Sequence, residues 1–573
     1  MGITLNQLIG ATKKLKSFID KDIAQLEGAD FESENGFGGL RIKDGKYQYY
    51  NENLSKWIDV QVTNDNLYIS NCIANPVTEM TVAYDESLKI KLTEPKDTII
   101  NGVTLFTVEA IKVLIKKGSE PASDVDGDLI LELPKKKFGE YKDKWFESSY
   151  ILEVGTYYIK AFAYNNIGVA NNDGICKTLD VEHKLELYQF KIDQSESDPA
   201  SMISYVGNNE LYTPAKMNYG TDKFDYGDWK NAWFMKQCKP CMLRYDGTVD
   251  YYLDPDNYAK KVDGTNSDIA NTDYEGNAMI EFPKVYISVK TEGDISTISV
   301  SNKKNDDSYH CYAHIDGNGN EMDVTYMPIY NGSLVSNNNI IRLRSLSGST
   351  CAFNTYTYLM NSAKNNYTDS DIYNIETYND RLLISILLLL IGKNMDTSSV
   401  FGNGDIFYRD TAVLNTGSMN DKGLFWGSNS SSTATGVKVF GMENYWGNQN
   451  RMLLGLLIDI NGIQKVKMYK TDGNDYNLTG EGYHEIGSIT GTSGSYIAKA
   501  YISDYGILPK VLGGSASTYF AADARFLSSS SCLATAGGCN YYKSSKLLTL
   551  NYIDPSINNW SVGAALSCKP LKK

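Results

Sequence analysis

From Gly513 to Pro570 no apolar run exceeds five residues, and Ser, Gly and Asn fill the intervals. The runs are Thr518-Tyr519-Phe520, Leu547-Leu548-Thr549-Leu550 and Val562 to Leu566. A helix needs a sustained 3.6-residue apolar period, and these intervals are too short and too polar to carry one. The stretch therefore reads as short strands joined by surface loops. The loops carry Arg525 and Phe526, then Asn540, Tyr541 and Tyr542, then Tyr552 and Trp560. Tyr, Ser, Asn and Gly with an occasional Arg or Trp is the composition of binding loops, because Tyr gives large contact area at low entropy cost. A β edge whose aromatics pack on the protein body has the same composition, so both readings stay open at this point.

The pieces STYF followed by Asp523, TAGG (Thr535 to Gly538) and NWSVGAALS (Asn559 to Ser567) resemble the C-terminal part of C-type-lectin-like domains. Such domains occur in phage tail proteins and in retroelement-diversified ligand-binding proteins, where this part of the fold displays variable residues on a fixed scaffold. The resemblance implies a scaffold role for Trp446, Trp560 and Leu566. It implies a display role for Asp523, Arg525, Phe526, Asn540, Tyr541 and Tyr542, which form the candidate ligand-binding set. It names no ligand.

A chain of 573 residues holds roughly three to five domains. That is enough to bury a large core without disulfide staples. The net charge of −14 argues against a nucleic-acid-binding face, which needs a basic patch. The nine scattered cysteines are odd in number, which fits a reducing folding environment. MGITLNQLIG lacks the charged and apolar regions of a signal peptide. The longest apolar run, Leu382 to Ile391, is about half of the ~20 residues that span a bilayer, and Ser385 interrupts it. It reads as a buried helix, so a soluble protein with no membrane insertion is expected.

In chain order, Leu5, Leu8, Leu15, Ile19 and Leu26 follow three/four spacing, with Thr12 and Asp22 at the weaker positions. This predicts an amphipathic helix within residues 1–30 that joins copies of the chain or docks on a partner. Residues 31–82 read as a small β-stalk segment. Lys43-Asp44-Gly45 separates Leu40-Arg41-Ile42 from Tyr47 to Tyr50, a hairpin signal, and Trp57-Ile58 follows. This part resembles short stalk segments of phage tail fibres.

Residues 83–183 form a unit with alternating Leu88 to Leu92, a strand at Ile111 to Ile115 and a turn at Asp126-Gly127. Leu152-Glu-Val-Gly-Thr-Tyr-Tyr158 before an alternating strand resembles the tyrosine corner of fibronectin type III domains, with Val154 where Pro is common. The resemblance implies a seven-stranded spacer or adhesion module. Residues 184–210 read as a polar linker and 211–573 as the lectin-like region. Within it, FMKQCKPCMLRYDGTVDYYLDPDNYAKK (Phe234 to Lys261), Tyr326-Met-Pro-Ile-Tyr330 and Val439 to Asn448 resemble segments of tail proteins of phages infecting Gram-positive bacteria. Asn450-Arg451-Met452 departs from that pattern, since relatives often carry another Trp there. The fold class expected is mainly β and multidomain, ending in an α+β C-type-lectin-like region.

Catalytic and metal signatures are weak. Cys238-x-x-Cys241 has no second pair at zinc spacing, although His310, Cys311 and His314 could contribute ligands if brought near. Asp316-Gly-Asn318-Gly-Asn320 starts like a calcium loop, but Glu321 stands where Gly is needed and Met327 where the bidentate Glu belongs. A tight turn is expected there, and another at Asp124 to Asp128. There is no G-x-S-x-G, P-loop or H-E-x-x-H. His484, in the Gly-rich GEGYHEIG, reads as a turn residue, and Cys532 and Cys539 as loop residues. No catalytic residue, metal or cofactor is implied. The expected function is a phage tail-fibre or receptor-binding protein that attaches the virion to a bacterial surface glycan or protein. Its N-terminus would hold other tail or baseplate proteins. A tail-associated depolymerase and a structural baseplate or collar component are the alternatives.

The heptad-like spacing generates a first prediction. The full chain is expected to be an oligomer, a trimer in first place, and removal of residues 1–30 should weaken it. Light scattering that found a monodisperse monomer for the full chain would end this expectation.

Overall fold

The computed structural model describes the backbone of residues 40–43, 46–51, 56–63 and 66–69. It then describes residues 74–571 apart from 85–86, 101–102, 140–143, 149, 151, 153–154, 167, 182–184, 409–412, 470–475, 527–531 and 541–544. The chain is mainly β and divides into two compact units, Met1–Lys184 and Leu185–Lys573. The expected helix at Leu5 to Leu26 lies outside the described residues.

In the first unit, strands Leu40–Lys43, Lys46–Asn51, Lys56–Thr63 and Asn66–Ile69 pair consecutively as an antiparallel meander. Lys43 pairs with Lys46, so only Asp44 and Gly45 separate the first two strands, as the hairpin signal required. A β-sandwich follows. One sheet orders Phe146–Ser148, Leu88–Leu92 and Met80–Tyr84. The other orders Asp128–Pro134, Val108–Lys117 and Gly155–Asn165, and the last of these also pairs with Ala170–Asn171 and Cys176–Val181. Leu88 and Ile90 from the first sheet meet Ile111, Val113, Ile159 and Ala161 from the second in one core.

Two expectations need correcting here. Ala74, Val77 and Met80 belong to the sandwich core, so the boundary expected after residue 82 lies before residue 74. In the corner, Tyr157 rather than Tyr158 turns inward, because the strand alternation puts 157, 159 and 161 on the core face. The backbone of Leu152 is engaged instead by the Tyr84 hydroxyl, which donates to its carbonyl at 3.3 Å. The turn expected at Asp124 to Asp128 does connect two paired strands. Asp126 fixes it by accepting from Lys116 and from the Ala122 N–H.

The second unit begins inside the segment expected to be a linker. Leu187–Asp193 and Ile203–Val206 pair with each other, and the first also pairs with Ile295–Ser301. Alternation explains this: Tyr188, Phe190 and Ile192 face the core between polar neighbours, a strand pattern hidden in a polar stretch. A seven-stranded sheet runs Asn257–Lys261, Val249–Asp254, Lys239–Arg244, Gly276–Pro283, Val324–Pro328, Leu566–Cys568, Tyr373–Ile375. A nine-stranded sheet holds Asn450–Ile458 and Cys532–Ala536 near its middle. Its edges are His484–Ser488 and Gly506–Gly514. Just beyond the first edge, Thr490 bridges Val511 of the other, its N–H donating to Lys510 at 3.0 Å. The sheet thus curls back on itself. Buried Gln464 holds the curl, its amide donating to the Pro509 carbonyl while its oxygen accepts from Tyr552.

The apolar run forms the helix Tyr378–Gly392, with all fifteen residues buried. Thr377 and Asp380 make a reciprocal capping box at its start. Asp380 also accepts from Ser567 at 2.8 Å and from Lys569 at 2.9 Å, which ties the helix start to the last strand. Thr518-Tyr519-Phe520, expected as a strand, is a turn with Tyr519 and Ala521 in the left-handed region. The strand expected at Leu547 to Leu550 begins only at Leu550, after a turn at Leu547-Leu548.

Beside the helix, Glu376 lies between two fully buried guanidiniums, 3.5 Å from Arg451 and 3.8 Å from Arg381. Arg451 donates to the carbonyls of Glu443 and Asn444, and Arg381 to those of Tyr445 and Leu547. Both cations also face the Tyr445 ring, Arg381 at 4.0 Å and Arg451 at 5.2 Å. Removing the carboxylate would leave two buried cations without their anion. Glu376→Ala is therefore expected to cost about 3–5 kcal/mol. The check is denaturant unfolding followed by tryptophan fluorescence. An unshifted midpoint would show that the cluster does not hold the unit together.

Candidate ligand-binding site

The TAGG and NWSVGAALS pieces converge in space with the segment Glu443 to Arg451. Arg451 pairs antiparallel with Ala536 of the TAGG piece and parallel with Gly563 of the NWSVGAALS piece. The Gly447 N–H, next to Trp446, donates to the Gly537 carbonyl at 2.9 Å. Gly447 has φ +101°, and a Cβ there would stand 2.5 Å from the Asp405 nitrogen, so only glycine fits this crossing. Trp446 is buried and donates to the Gly402 carbonyl at 3.1 Å. Leu566 is buried as expected of scaffold, whereas Trp560 is only half-buried.

Glu443, in the same ENYWG segment, accepts backbone N–H bonds from Gly417 and Met419. Lys438 sits beside it, donating to the Met419 carbonyl and lying 3.7 Å from the centre of the Tyr258 ring. Burial pushes the Glu443 carboxyl up and the Lys438 ammonium down to about 7. Each charge keeps a fixed partner, which is how a buried pair anchors a loop.

The expected display residues divide into three groups. Arg525 ends the strand Asp523–Arg525 with its side chain 40% exposed. Phe526 follows it, half-buried, and its N–H and carbonyl both bond the Ser493 hydroxyl at 2.9 Å. Asp523 and Asn540, in contrast, are buried, which corrects their assignment as surface display residues. Asp523 faces inward from a strand held on both sides, accepting from Thr549 at 3.0 Å and lying 3.7 Å from the Arg525 guanidinium. Asn540 follows a double-glycine turn packed on the Tyr445-Trp446 backbone. Tyr541 and Tyr542 lie outside the described residues. Cys532 and Cys539 are buried rather than in polar loops.

Cys238 and Cys241 pack in two different apolar clusters. Among the described residues, no group of three or more His, Cys, Asp or Glu side chains could hold a metal ion. At the calcium-like stretch, buried Asp316 accepts from the Asn318 and Asn320 N–H groups, as in a tight turn.

Sequence reading missed a cleft of about 560 Å³ beside the curled sheet, lined by both apolar and charged side chains. His484, exposed on a strand rather than in a turn, lines it with Tyr501, Tyr505, Lys499 and Asp294. His484 stacks on Tyr505 with ring centroids 4.0 Å apart. Lys499 bonds Asp294 across 205 positions of sequence, a pairing that no local pattern announces. No protein-family model matches the chain, and no curated protein matches it either.

The two ends of one short strand should respond differently to truncation. Asp523→Ala removes a buried acceptor and is expected to cost about 2 kcal/mol. Arg525→Ala breaks a partly exposed ion pair and should cost under about 1 kcal/mol. Equal melting temperatures for the two variants would contradict this division.

Proposed function

We propose that the chain is a phage tail-fibre or receptor-binding protein, and that its second unit attaches the virion to a bacterial surface glycan or protein. The observation that carries this reading is the convergence of the TAGG and NWSVGAALS pieces on Arg451, with Arg525 ending an interior strand of the same sheet and Phe526 following it. A scaffold held by its own hydrogen bonds, with an Arg and a Phe partly exposed at a strand end, suits binding without large rearrangement. Arg and Tyr also dominate the energetics of protein interfaces. The sandwich of the first unit supports a spacer or adhesion role of the fibronectin type III kind. A multimer would add avidity to weak single sites. We read the mechanism as binding without catalysis.

The test is adsorption of the purified full chain to a panel of Gram-positive bacteria. Arg525→Ala, Tyr541→Ala and Tyr542→Ala, each with its melting temperature measured, should include at least one that melts like the parent and binds about thirty-fold more weakly. Failure of the parent to bind any strain would overturn receptor binding. New reducing ends released from the cell walls would overturn binding without catalysis.

A further inference from the structure

The cleft beside the curled sheet lies outside the expected display set. It is bounded by the strands His484–Ser488 and Ser495–Ser503 and by the turn at Gly293-Asp294. Its walls are held by the protein's own bonds. Lys499 donates to the Gln194 carbonyl at 2.7 Å and to Asp294 at 2.9 Å. The Tyr501 hydroxyl donates to the Ser488 carbonyl at 3.2 Å. The cleft is therefore preformed, which lowers the ordering cost of binding.

Its chemistry combines flat rings with balanced charge. His484 lies over Tyr505 with an interplanar angle of 13°. Tyr505 closes the turn between two paired strands, and its neighbour Asp504 accepts from the Val289 N–H at 2.9 Å. Beyond that turn stands a second ring row, with His310 over Tyr312 at 4.8 Å and Tyr312 beside Tyr469 at 6.2 Å. Tyr505 and Asp504 are close enough to add, after burial, to the raising of the Tyr312 phenol pKa. The charged residues of the cleft are Asp294 and Glu485 against Lys499 and Lys510. Asp294 is paired with Lys499, and Glu485 with Lys465 at 3.1 Å.

Each candidate ligand meets these features differently. A polyphosphate or uronate chain needs a net positive surface, and a cationic peptide needs a negative one. A wholly apolar ligand would cover the four charged side chains of the cleft without offering them polar partners. A pyranose ring presents apolar C–H faces to flat aromatic rings and hydroxyls to mixed donors and acceptors, at no charge cost. The volume suits a ligand of a few sugar units. We propose that this cleft binds a neutral glycan chain, with His484 and Tyr505 as the stacking platform and Lys499, Asp294 and Glu485 as hydrogen-bonding groups.

The proposal rests on the receptor-binding reading and names a ligand class and a place for it. Its test uses the full chain on an array of neutral oligosaccharides: hexose, N-acetylhexosamine and 6-deoxyhexose chains of at least four units. Poly(glycerol phosphate) and hyaluronate form the anionic arm. Binding to at least one neutral chain is expected. His484→Ala should weaken it by at least about tenfold, as loss of a hot-spot ring does, and Tyr505→Ser should do the same. His484 is exposed, so its variant should melt like the parent. Binding of anionic chains alone, of no array member, or of neutral chains with unchanged affinity in both variants would overturn the proposal. Cell adsorption by His484→Ala separates the two readings. A variant that still adsorbs while the array fails leaves receptor binding standing and removes the cleft, whereas a parent that adsorbs to nothing but binds neutral chains does the reverse.

Discussion

Glu376 is the anion on which the second unit depends. Two buried guanidiniums reach it from opposite directions, Arg381 from the central helix and Arg451 from the middle of the nine-stranded sheet. Each cation carries a long desolvation penalty that a single distant carboxylate would not offset. The backbone carbonyls of Glu443, Asn444, Tyr445 and Leu547 and the face of Tyr445 add to the compensation. Helix, sheet and the ENYWG crossing can satisfy those charges only in one mutual arrangement. Apolar burial around the helix drives collapse, but it is indifferent to small rotations. The ion cluster supplies the directional requirement that apolar contacts lack.

Much of the fold could be read from local pattern. The Asp-Gly hairpin, the buried apolar helix and the strands around Leu88 and Ile111 each rest on signals within one or two turns of chain. The errors share a cause, which is that burial is decided by distant partners. Asp523 and Asn540 look like surface residues because their types usually are, yet Thr549 and a double-glycine turn make inward positions for them. The strand Leu187–Asp193 was hidden because polar flanks masked its alternation. Arg451 looked like a departure from a pattern, and its carboxylate partner stands 75 positions earlier in the chain. The cleft is illegible for the same reason. It exists only where the turn at Asp294 meets strands two hundred residues later.

The nine-stranded sheet also manages a hazard common to sheets. Open edges invite pairing with other chains, and long exposed ones promote aggregation. Here the two edges meet through Thr490 and Val511, and Gln464 fastens the seam from inside. The cleft and its rings lie along this seam. A binding surface placed there gains rigid walls without leaving an unpaired edge.

Asp380 has a bearing on how the protein is made. It caps the central helix and also accepts from Ser567 and Lys569. The strand Leu566–Cys568 fills the slot between Val324–Pro328 and Tyr373–Ile375. Until residue 569 has left the ribosome, the seven-stranded sheet is split and Asp380 lacks its Ser567 and Lys569 partners. A nascent chain can complete the sandwich of the first unit early, as domains do during synthesis. The second unit has no such option. Its fifteen-residue apolar helix waits for a strand translated almost two hundred codons later. The topology thus leaves that helix without its strand partner for most of the synthesis of the second unit.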